Sequence, residues 1–309
     1  MSLAPEIIKL LADQKAAGLP QAWEAPLSVI RELTQSRIAF AGKPEPIHSV
    51  VNKFIPGPTA DLPIRIYRPN EDQNAPALVF FHGGGWVMNF IDIYDAAMHR
   101  LANQSGAVVI SVNYQKAPEH PFPIPFDDCY ATLIWAREHA KELGIDPNRI
   151  GVGGDSAGGN LAAAVAIKAR DESISLSYQL LVYPCLARDF TTKSYNEYAT
   201  DFGLSTQAMK WFWEQYLQGN QHNDNAYAIP MRAKSLAGVA PSIVITAQYD
   251  PLVGDSENYC KKLLADGVEV SYRDFPGMIH GFFANVALTP SAHSALDFAA
   301  EELASKVKK

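Results

Sequence analysis

The feature that most constrains the fold of this chain is the pentapeptide Gly154-Asp155-Ser156-Ala157-Gly158. An apolar run precedes it at 149–153, and a helix-like run follows it at 161–167. A strand, a sharp turn with a central serine and a helix are together typical of a nucleophile elbow, which exposes the serine hydroxyl. The two glycines carry no Cβ where strand and helix nearly touch. The motif therefore predicts Ser156 as a nucleophile.

From residue 77 onward, short apolar runs alternate with longer amphipathic segments. This alternation is typical of a mostly parallel sheet that is covered by helices on both faces. Two earlier runs at 49–55 and 62–67 flank a Pro-Gly-Pro turn and predict an antiparallel pair of strands. Six further strands, which bring the sheet to eight, are predicted at 78–81, 107–112, 149–153, 178–183, 242–247 and 268–275. Helices are predicted near 93–104, 127–143, 157–170, 254–266 and 291–306.

Two segments lie outside this alternation. Residues 1–45 carry apolar positions at helical spacing, broken by glycine and prolines, which predicts short helices before the first strand. Residues 184–241 form a long insert between two strands, rich in aromatic side chains, in which Ser205 is placed to cap a helix. We expect a catalytic core and a two-part helical cap, the core formed by 46–185 and 236–309 and the cap by 1–45 and 186–235.

An exposed serine needs a base, an orienting acid and hydrogen-bond donors for the oxyanion that develops during acyl transfer. The run His82-Gly83-Gly84-Gly85-Trp86 follows a predicted strand directly. Glycines let main-chain N–H groups point into a cavity, so Gly83, Gly84 and Gly85 are candidate donors. The N–H of Ala157, the residue after the nucleophile, is the further candidate.

The base and the acid are sought at the ends of the last two strands. Of the eight histidines, His280 alone lies in a glycine-flanked turn that follows the last predicted strand. Asp250 follows the preceding strand, whereas its rivals are Asp255, predicted to cap a helix, and Asp274, predicted to lie inside a strand. The chain order of serine, acid and histidine is then the order of one known arrangement of the serine hydrolase triad.

These motifs together resemble the hormone-sensitive-lipase-like family of α/β-hydrolases, microbial carboxylesterases with a two-part cap. The matching motifs are His82-Gly83-Gly84-Gly85-Trp86, Asn113-Tyr114 with Ala117-Pro118-Glu119-His120-Pro121-Phe122-Pro123, Gly154-Asp155-Ser156-Ala157-Gly158-Gly159-Asn160, Asp250-Pro251-Leu252 and His280-Gly281-Phe282. The resemblance covers residue 40 to the end and implies an α/β-hydrolase fold. One departure is Gln115-Lys116, which stands where the family usually has Arg-Leu.

The resemblance implies a serine carboxylesterase that acts on short-to-medium acyl esters with Ser156 as nucleophile, His280 as base and Asp250 as orienting acid. We interpret Asp155 and Glu119 as structural carboxylates that brace neighbouring loops. An amidase or arylformamidase would use the same residues, and the sequence leaves that alternative open. A small-molecule receptor is the alternative from another class, because plant gibberellin receptors resemble this family but lack the catalytic histidine. His280 disfavours that alternative.

The aromatic residues of the cap have two interpretations. Rings above the elbow would bury a short acyl chain, each methylene contributing about 0.8 kcal/mol. Alternatively, they would pack the cap's own core. The candidate substrate-binding residues are Trp86, Trp211, Phe212 and Trp213.

Charge and cysteine content narrow the partners further. Lys and Arg number 26 against 33 Asp and Glu, a net charge of −7 without a long basic run, which argues against a nucleic-acid partner. No apolar stretch approaches the roughly 18 residues of a spanning helix, so no membrane partner is expected. Three scattered cysteines and the absence of a signal-peptide pattern favour the cytoplasm. We expect no metal and no organic cofactor, and the resemblance implies a homodimer formed through the strand at 268–275.

Overall fold

The computed structural model describes residues 2–308 and contains one eight-stranded sheet. The strands are β1 (Ser49–Ile55), β2 (Leu62–Arg68), β3 (Ala75–Phe81), β4 (Val108–Val112), β5 (Ile145–Asp155), β6 (Gln179–Val182), β7 (Ser242–Tyr249) and β8 (Val270–Ile279). Their order across the sheet is β1-β2-β4-β3-β5-β6-β7-β8. β2 is antiparallel to both of its neighbours, and every other neighbouring pair is parallel. The predicted eight-stranded, mostly parallel sheet is confirmed.

The helices cover both faces of this sheet. They are α1 (Pro5–Ala17), α2 (Leu27–Leu33), α3 (Ile38–Ala41), α4 (Asp95–Ser105), α5 (Ile124–Glu138), α6 (Ala140–Leu143), α7 (Ala157–Asp171), α8 (Lys193–Glu197), α9 (Thr206–Leu217), α10 (Val253–Ala265) and α11 (Pro290–Lys306). The single helix predicted at 127–143 is two helices, because His139 leaves helical geometry (φ −99°, ψ 17°). The Nδ1 atom of His139 lies 2.9 Å from the carbonyl oxygen of Trp135 in the preceding turn.

Two hydrophobic cores lie on opposite faces of the sheet because side chains alternate along each strand. In β3, Leu78 and Phe80 belong to the core that α4 and α11 cover, whereas Val79 and Phe81 belong to the core beneath α5 and α7. All four side chains are fully buried. A strand with both faces buried consists of a continuous run of apolar residues, and this is why β3 could be predicted from the sequence.

The parallel strands present their carboxyl ends at one edge of the sheet, where ligands bind in open α/β folds. β5 ends at Asp155, β7 at Tyr249 and β8 at Ile279. The last strand extends beyond the predicted limit at residue 275, and its extra residues carry the chain to this edge. The residues that follow these three strands are therefore brought together.

Helices at both ends of the predicted cap contact the rest of the chain in different ways. The N–H of Ala4 donates to the carbonyl of Gly277, and Ile7 in α1 is fully buried in the core beside α11. In the later insert, the Ser205 hydroxyl accepts from the N–H of Ala208 at 3.1 Å and caps α9 as predicted. The boundaries between core and cap stay a prediction.

Candidate active site

Ser156 lies in a strained turn between β5 and α7, with φ 57° and ψ −119°. A positive φ in a residue other than glycine is costly and persists only where the surroundings impose it. Here the tight packing of strand against helix imposes it, and two glycines permit that packing. A Cβ at Gly158 would lie 1.9 Å from the carbonyl oxygen of Phe81, and one at Gly154 would lie 2.3 Å from that of Gly158. This close approach of strand and helix is the geometry expected of a nucleophile elbow.

Three side chains from the ends of β5, β7 and β8 form one chain of hydrogen bonds. The Ser156 hydroxyl donates to Nε2 of His280, with 2.8 Å between the atoms. On the other side of the ring, Nδ1–H of His280 donates to Oδ2 of Asp250 at 2.7 Å. Asp250 is fully buried, and its Oδ1 accepts the N–H of Leu252. The structure thus brings together the three residues that the sequence predicted for the triad.

Neither rival carboxylate reaches His280. Asp274 accepts a hydrogen bond from the hydroxyl of Thr246 on the neighbouring strand. Asp255 is buried, and its Oδ2 accepts the N–H groups of Leu186 and Ala187 at 3.0 Å each. The expectation that Asp255 caps a helix is wrong, because it binds the first residues of the insert and not the start of α10. Burial raises the pKa of Asp255 to about 8.

Free main-chain donors lie beside the serine. Ala157 is the first residue of α7, where an N–H has no acceptor within its own helix. Among residues 2–308, the N–H groups of Gly84 and Gly85 have no hydrogen-bond acceptor. These glycines have φ angles of 117° and 62°, which side-chain-bearing residues rarely adopt. The three N–H groups are available to an oxyanion.

The prediction of Gly83 as a further donor is wrong. Its N–H donates to Oδ1 of Asp155 at 2.7 Å and lies 3.1 Å from the hydroxyl oxygen of Tyr94. The Tyr94 hydroxyl in turn donates to Oδ2 of Asp155. Burial raises the pKa of Asp155 to about 6, although the Gly83 N–H works against that rise. Asp155 therefore ties the glycine loop to the elbow, the structural role that the sequence suggested.

Comparison with known proteins places this geometry in a family. The α/β-hydrolase fold model matches residues 78–284. The chain belongs to the α/β-hydrolase family. This hydrolase is 40% identical over 242 residues to the carboxylic ester hydrolase LipN of Mycobacterium tuberculosis, a match that covers 75% of this chain and 64% of LipN. It is 33% identical to an arylesterase of Saccharolobus solfataricus, covering 92% of this chain and 94% of that one.

Two further relatives of this hydrolase are informative. An ester hydrolase from the metagenome of Lake Arreo has a solved structure that superposes with a TM-score of 0.95, at 34% identity, over 99% of this chain and 100% of that one. A bovine arylacetamide deacetylase is 33% identical over 290 residues, with 72% of this chain and 73% of that one covered. The resemblance to the hormone-sensitive-lipase-like carboxylesterases is confirmed at the level of the family.

Three of the four aromatic residues predicted to bind substrate are buried, and two of these, Trp86 and Trp213, are packed entirely inside the hydrolase. Trp86 and Trp213 are fully inaccessible to solvent, and their ring centroids lie 4.6 Å apart. Trp86 also stacks on Tyr216 at 4.1 Å with the ring planes nearly parallel. The prediction that Trp86 and Trp213 line the substrate site is therefore wrong, since their large apolar surfaces join the cap to the core.

The other two aromatic residues are Phe212, which contacts Gly85 of the glycine loop, and Trp211. The ring of Phe212 occupies the space that a Cβ of Gly85 would need, 2.1 Å from its nearest ring carbon. Trp211 packs edge-on against Phe212 and is only partly buried. Phe212 is therefore positioned to limit the space beside Gly85, and contact of either ring with substrate stays a prediction.

The hydrolase also has an open polar groove of about 830 Å³ that sequence reasoning missed. It lies between α2 with the 3-10 turn Thr34–Arg37 on one side and the loop at 113–120 on the other. Arg31 of α2 crosses to that loop and binds Glu119 through two N–H···O contacts of 2.7 Å. The sequence did contain one indication of this contact, because Glu119 was interpreted as a carboxylate that braces a loop.

The departure at Gln115-Lys116 lies on this groove. Gln115 donates its N–H to the buried carboxylate of Asp128, and Lys116 donates to Oδ1 of Asn113 at 2.7 Å. Burial, together with the neighbouring charge of Arg31, lowers the pKa of Lys116 to about 8. The departure thus puts a positive charge at position 116 and a neutral amide beside Asp128.

Over the described part of the chain, no three His, Cys, Asp or Glu side chains are grouped to hold a metal ion. Residues 2–308 also contain no helix that is long and apolar enough to cross a membrane.

Proposed function

We propose that this α/β-hydrolase is a serine carboxylesterase that cleaves short-to-medium acyl esters through a covalent acyl-enzyme. The proposal is carried by the continuous hydrogen bonds from Ser156 through His280 to Asp250, next to free main-chain donors. A nucleophile, a base, an orienting acid and oxyanion donors are the parts that acyl transfer requires. The ester hydrolases among its relatives support the same reaction class.

In this mechanism, Oγ of Ser156 attacks the ester carbonyl carbon while Nε2 of His280 takes the hydroxyl proton. The buried carboxylate of Asp250 holds the imidazole with Nδ1 protonated and stabilises the imidazolium. The N–H groups of Ala157, Gly84 and Gly85 stabilise the oxyanion. His280 then returns its proton to the leaving alcohol, and a water molecule, activated by the same imidazole, releases the acid from Ser156.

Covalent labelling tests the reaction class directly. An organophosphonate should modify the protein once, and peptide mass spectrometry should find the adduct on Ser156. Hydrolysis of 4-nitrophenyl esters should stop in proportion to labelling. Stoichiometric modification of another residue with loss of activity would refute the assignment of Ser156.

The preference for short acyl groups is supported by Phe212, whose ring limits the space beside Gly85 and is backed by the ring of Trp211. Each acyl methylene that enters an apolar pocket contributes about 0.8 kcal/mol until the pocket is full. We therefore expect kcat/KM to rise from acetyl to short or medium acyl esters and then to fall. Steadily rising values up to long-chain triglycerides would instead identify a lipase.

Amide hydrolysis is the second candidate, because one relative of this chain is named an arylacetamide deacetylase. The same triad serves both reactions, and His280 would protonate the leaving amine. Rates on phenyl acetate and acetanilide, which differ only in the leaving atom, decide between the two. A kcat/KM for the anilide that equals or exceeds that for the ester would make the chain an amidase.

We also propose a cytoplasmic homodimer. Cys129, Cys185 and Cys260 are free and buried, which supports a reducing compartment. β8 is an edge strand of the sheet, and Tyr272 on it and Leu264 on the adjacent α10 are exposed, which supports pairing through this edge. Light scattering on the purified protein should give twice the monomer mass of 33.8 kDa.

A further inference from the structure

One arginine beside the active site has no anionic partner. Arg37 ends the 3-10 turn Thr34–Arg37, and its Nη2 lies 3.2 Å from the position of a Cβ at Gly281. Gly281 directly follows His280, the base of the proposed triad. The guanidinium group therefore lies against the loop that carries the catalytic imidazole.

Within residues 2–308, Arg37 has neither a hydrogen-bond acceptor nor a carboxylate within 4 Å. Arg31 in the preceding helix α2 differs from Arg37, because its guanidinium group binds Glu119 and two backbone carbonyls. The carboxylates of the site are already engaged. Asp250 accepts from His280 and Leu252, whereas Asp155 accepts from Gly83 and Tyr94. None of these groups neutralises Arg37 by direct contact.

The charge of Arg37 acts on the groups around the nucleophile. Burial raises the pKa of Asp155, and the positive charge of Arg37 opposes that rise. Burial likewise raises the pKa of Tyr183, whose ring centroid is 4.6 Å from that of His280, and Arg37 again acts in the opposite direction. Arg37 therefore contributes a positive potential to the groups around the nucleophile.

The segment that carries Arg37 is held in place. The carbonyl of Phe40 accepts the N–H of Ala287 at 3.0 Å, and Gly42 packs so closely on Ala287 that a Cβ there would lie 2.8 Å away. The same turn contributes Thr34 and Gln35 to the wall of the polar groove. The turn is thus anchored to the chain beyond His280, and its polar side chains extend from the groove to the catalytic loop. A cation carried on an anchored backbone loses less conformational entropy on binding an anion.

We propose that Arg37 is a substrate-binding residue that pairs with a carboxylate carried by the ester, so that anionic esters are the preferred substrates. This inference rests on the proposed esterase function. A planar guanidinium binds a carboxylate through two parallel hydrogen bonds, which gives orientation as well as affinity. The carboxylate is on the acyl or the alcohol side of the ester bond, and matched substrates distinguish the two.

Two pairs of substrates test the proposal. For the acyl side, 4-nitrophenyl hemisuccinate is compared with 4-nitrophenyl butyrate; for the alcohol side, 3-carboxyphenyl butyrate is compared with phenyl butyrate. In Arg37→Gln, the ratio of kcat/KM for anionic over neutral ester should fall about tenfold in one pair, mainly through KM, the usual scale for losing a charged hydrogen bond. Arg37→Lys should restore part of the ratio.

The matched control is Lys193→Gln, which removes one positive charge from an exposed position in the other part of the cap. It should keep the wild-type ratio in both pairs. Salt provides a test on the unmodified protein, because raising the ionic strength screens the ion pair and should raise KM only for the anionic ester of the responsive pair.

An unchanged ratio in both pairs, or an equal loss for anionic and neutral esters, would overturn the proposal and leave Arg37 a structural role. Failure of the esterase function itself is distinguishable, since the wild-type protein would then hydrolyse none of the four esters. Hydrolysis of the neutral esters with no effect of Arg37 on the ratios would leave the esterase function standing and refute only this inference.

Discussion

The edge of the sheet that carries Ser156 and the aromatic insert above it differ in how side chains are positioned. At the edge, the three triad residues each follow a strand directly, and the strands fix their separation. In the insert, neighbouring residues of one helix have different roles. Trp213 is fully buried, whereas Trp211 is only partly so.

The difference shows that a short sequence motif predicts the position of a side chain only where local backbone geometry determines that position. At the edge, backbone geometry decides the outcome, because a glycine-flanked turn after a parallel strand has few alternatives. In α9, the outcome depends on partners from distant segments, such as Trp86, whose contact with Trp213 no local pattern reveals. Substitutions at the sheet edge should therefore change mainly kcat, and substitutions in the insert should change mainly the free energy of unfolding.

The largest effect is expected from Ser156→Ala. Without the hydroxyl no acyl-enzyme forms, and kcat should fall by about 10⁶-fold, the scale known for removing such a serine. Alanine keeps the Cβ of serine, so the strain of the positive φ changes little and the melting temperature should stay close to that of the wild type. Steady-state hydrolysis of 4-nitrophenyl butyrate and thermal unfolding measure the two quantities. Substantial remaining activity would mean that another residue is the nucleophile.

Asp250→Asn should cost about 10⁴-fold in kcat, because the amide favours the wrong imidazole tautomer. Asp255→Asn is the matched control, since it is another buried aspartate five residues along the chain that contacts backbone N–H groups and not His280. At pH 7 it should keep kcat within a few-fold of the wild type. The reverse ranking in kcat would exchange the roles of the two carboxylates.

How far the sequence predicts this molecule follows the same division. Strand order along the chain and the triad were predictable because apolar runs and glycine turns are local signals. Gly83 was not, because the competing acceptor Asp155 lies 72 residues away and only the folded sheet brings it within 2.7 Å. For a similar reason Trp86 was assigned to the substrate site and the groove beside Arg31 was missed, since the contacts of both come from segments that are distant along the chain.

Trp213→Ala should sharpen the contrast within the insert. The ring is fully buried against Trp86, so its removal should lower the free energy of unfolding by about 3–5 kcal/mol, measured by urea denaturation. Trp211→Ala is the control, because Trp211 lies two residues earlier in the same helix and is only partly buried. It should cost less stability and shift the preferred acyl length toward longer chains. An unchanged acyl profile in Trp211→Ala would assign that ring to packing as well.

The last effect depends on pH and concerns Asp255, which holds the first residues of the insert to the core. Burial raises its pKa to about 8 in the folded state, against about 3.9 in an unfolded chain. Between these values the folded state binds more protons, so rising pH favours unfolding, by at most about 1.4 kcal/mol per pH unit. This loss should begin above about pH 4 and end above about pH 8.

Asp255→Asn removes the titration, so the difference in free energy of unfolding between variant and wild type should grow in the variant's favour from pH 5 to pH 8. Above pH 8 both states of the wild type are deprotonated, and the difference should become constant. Urea denaturation at each pH measures it, and Asp155, whose pKa is also raised, cancels because both proteins contain it. Parallel stability curves would mean that Asp255 is ionised in the folded state throughout. The two N–H groups of Leu186 and Ala187 would then suffice to hold a buried negative charge where the insert leaves the core.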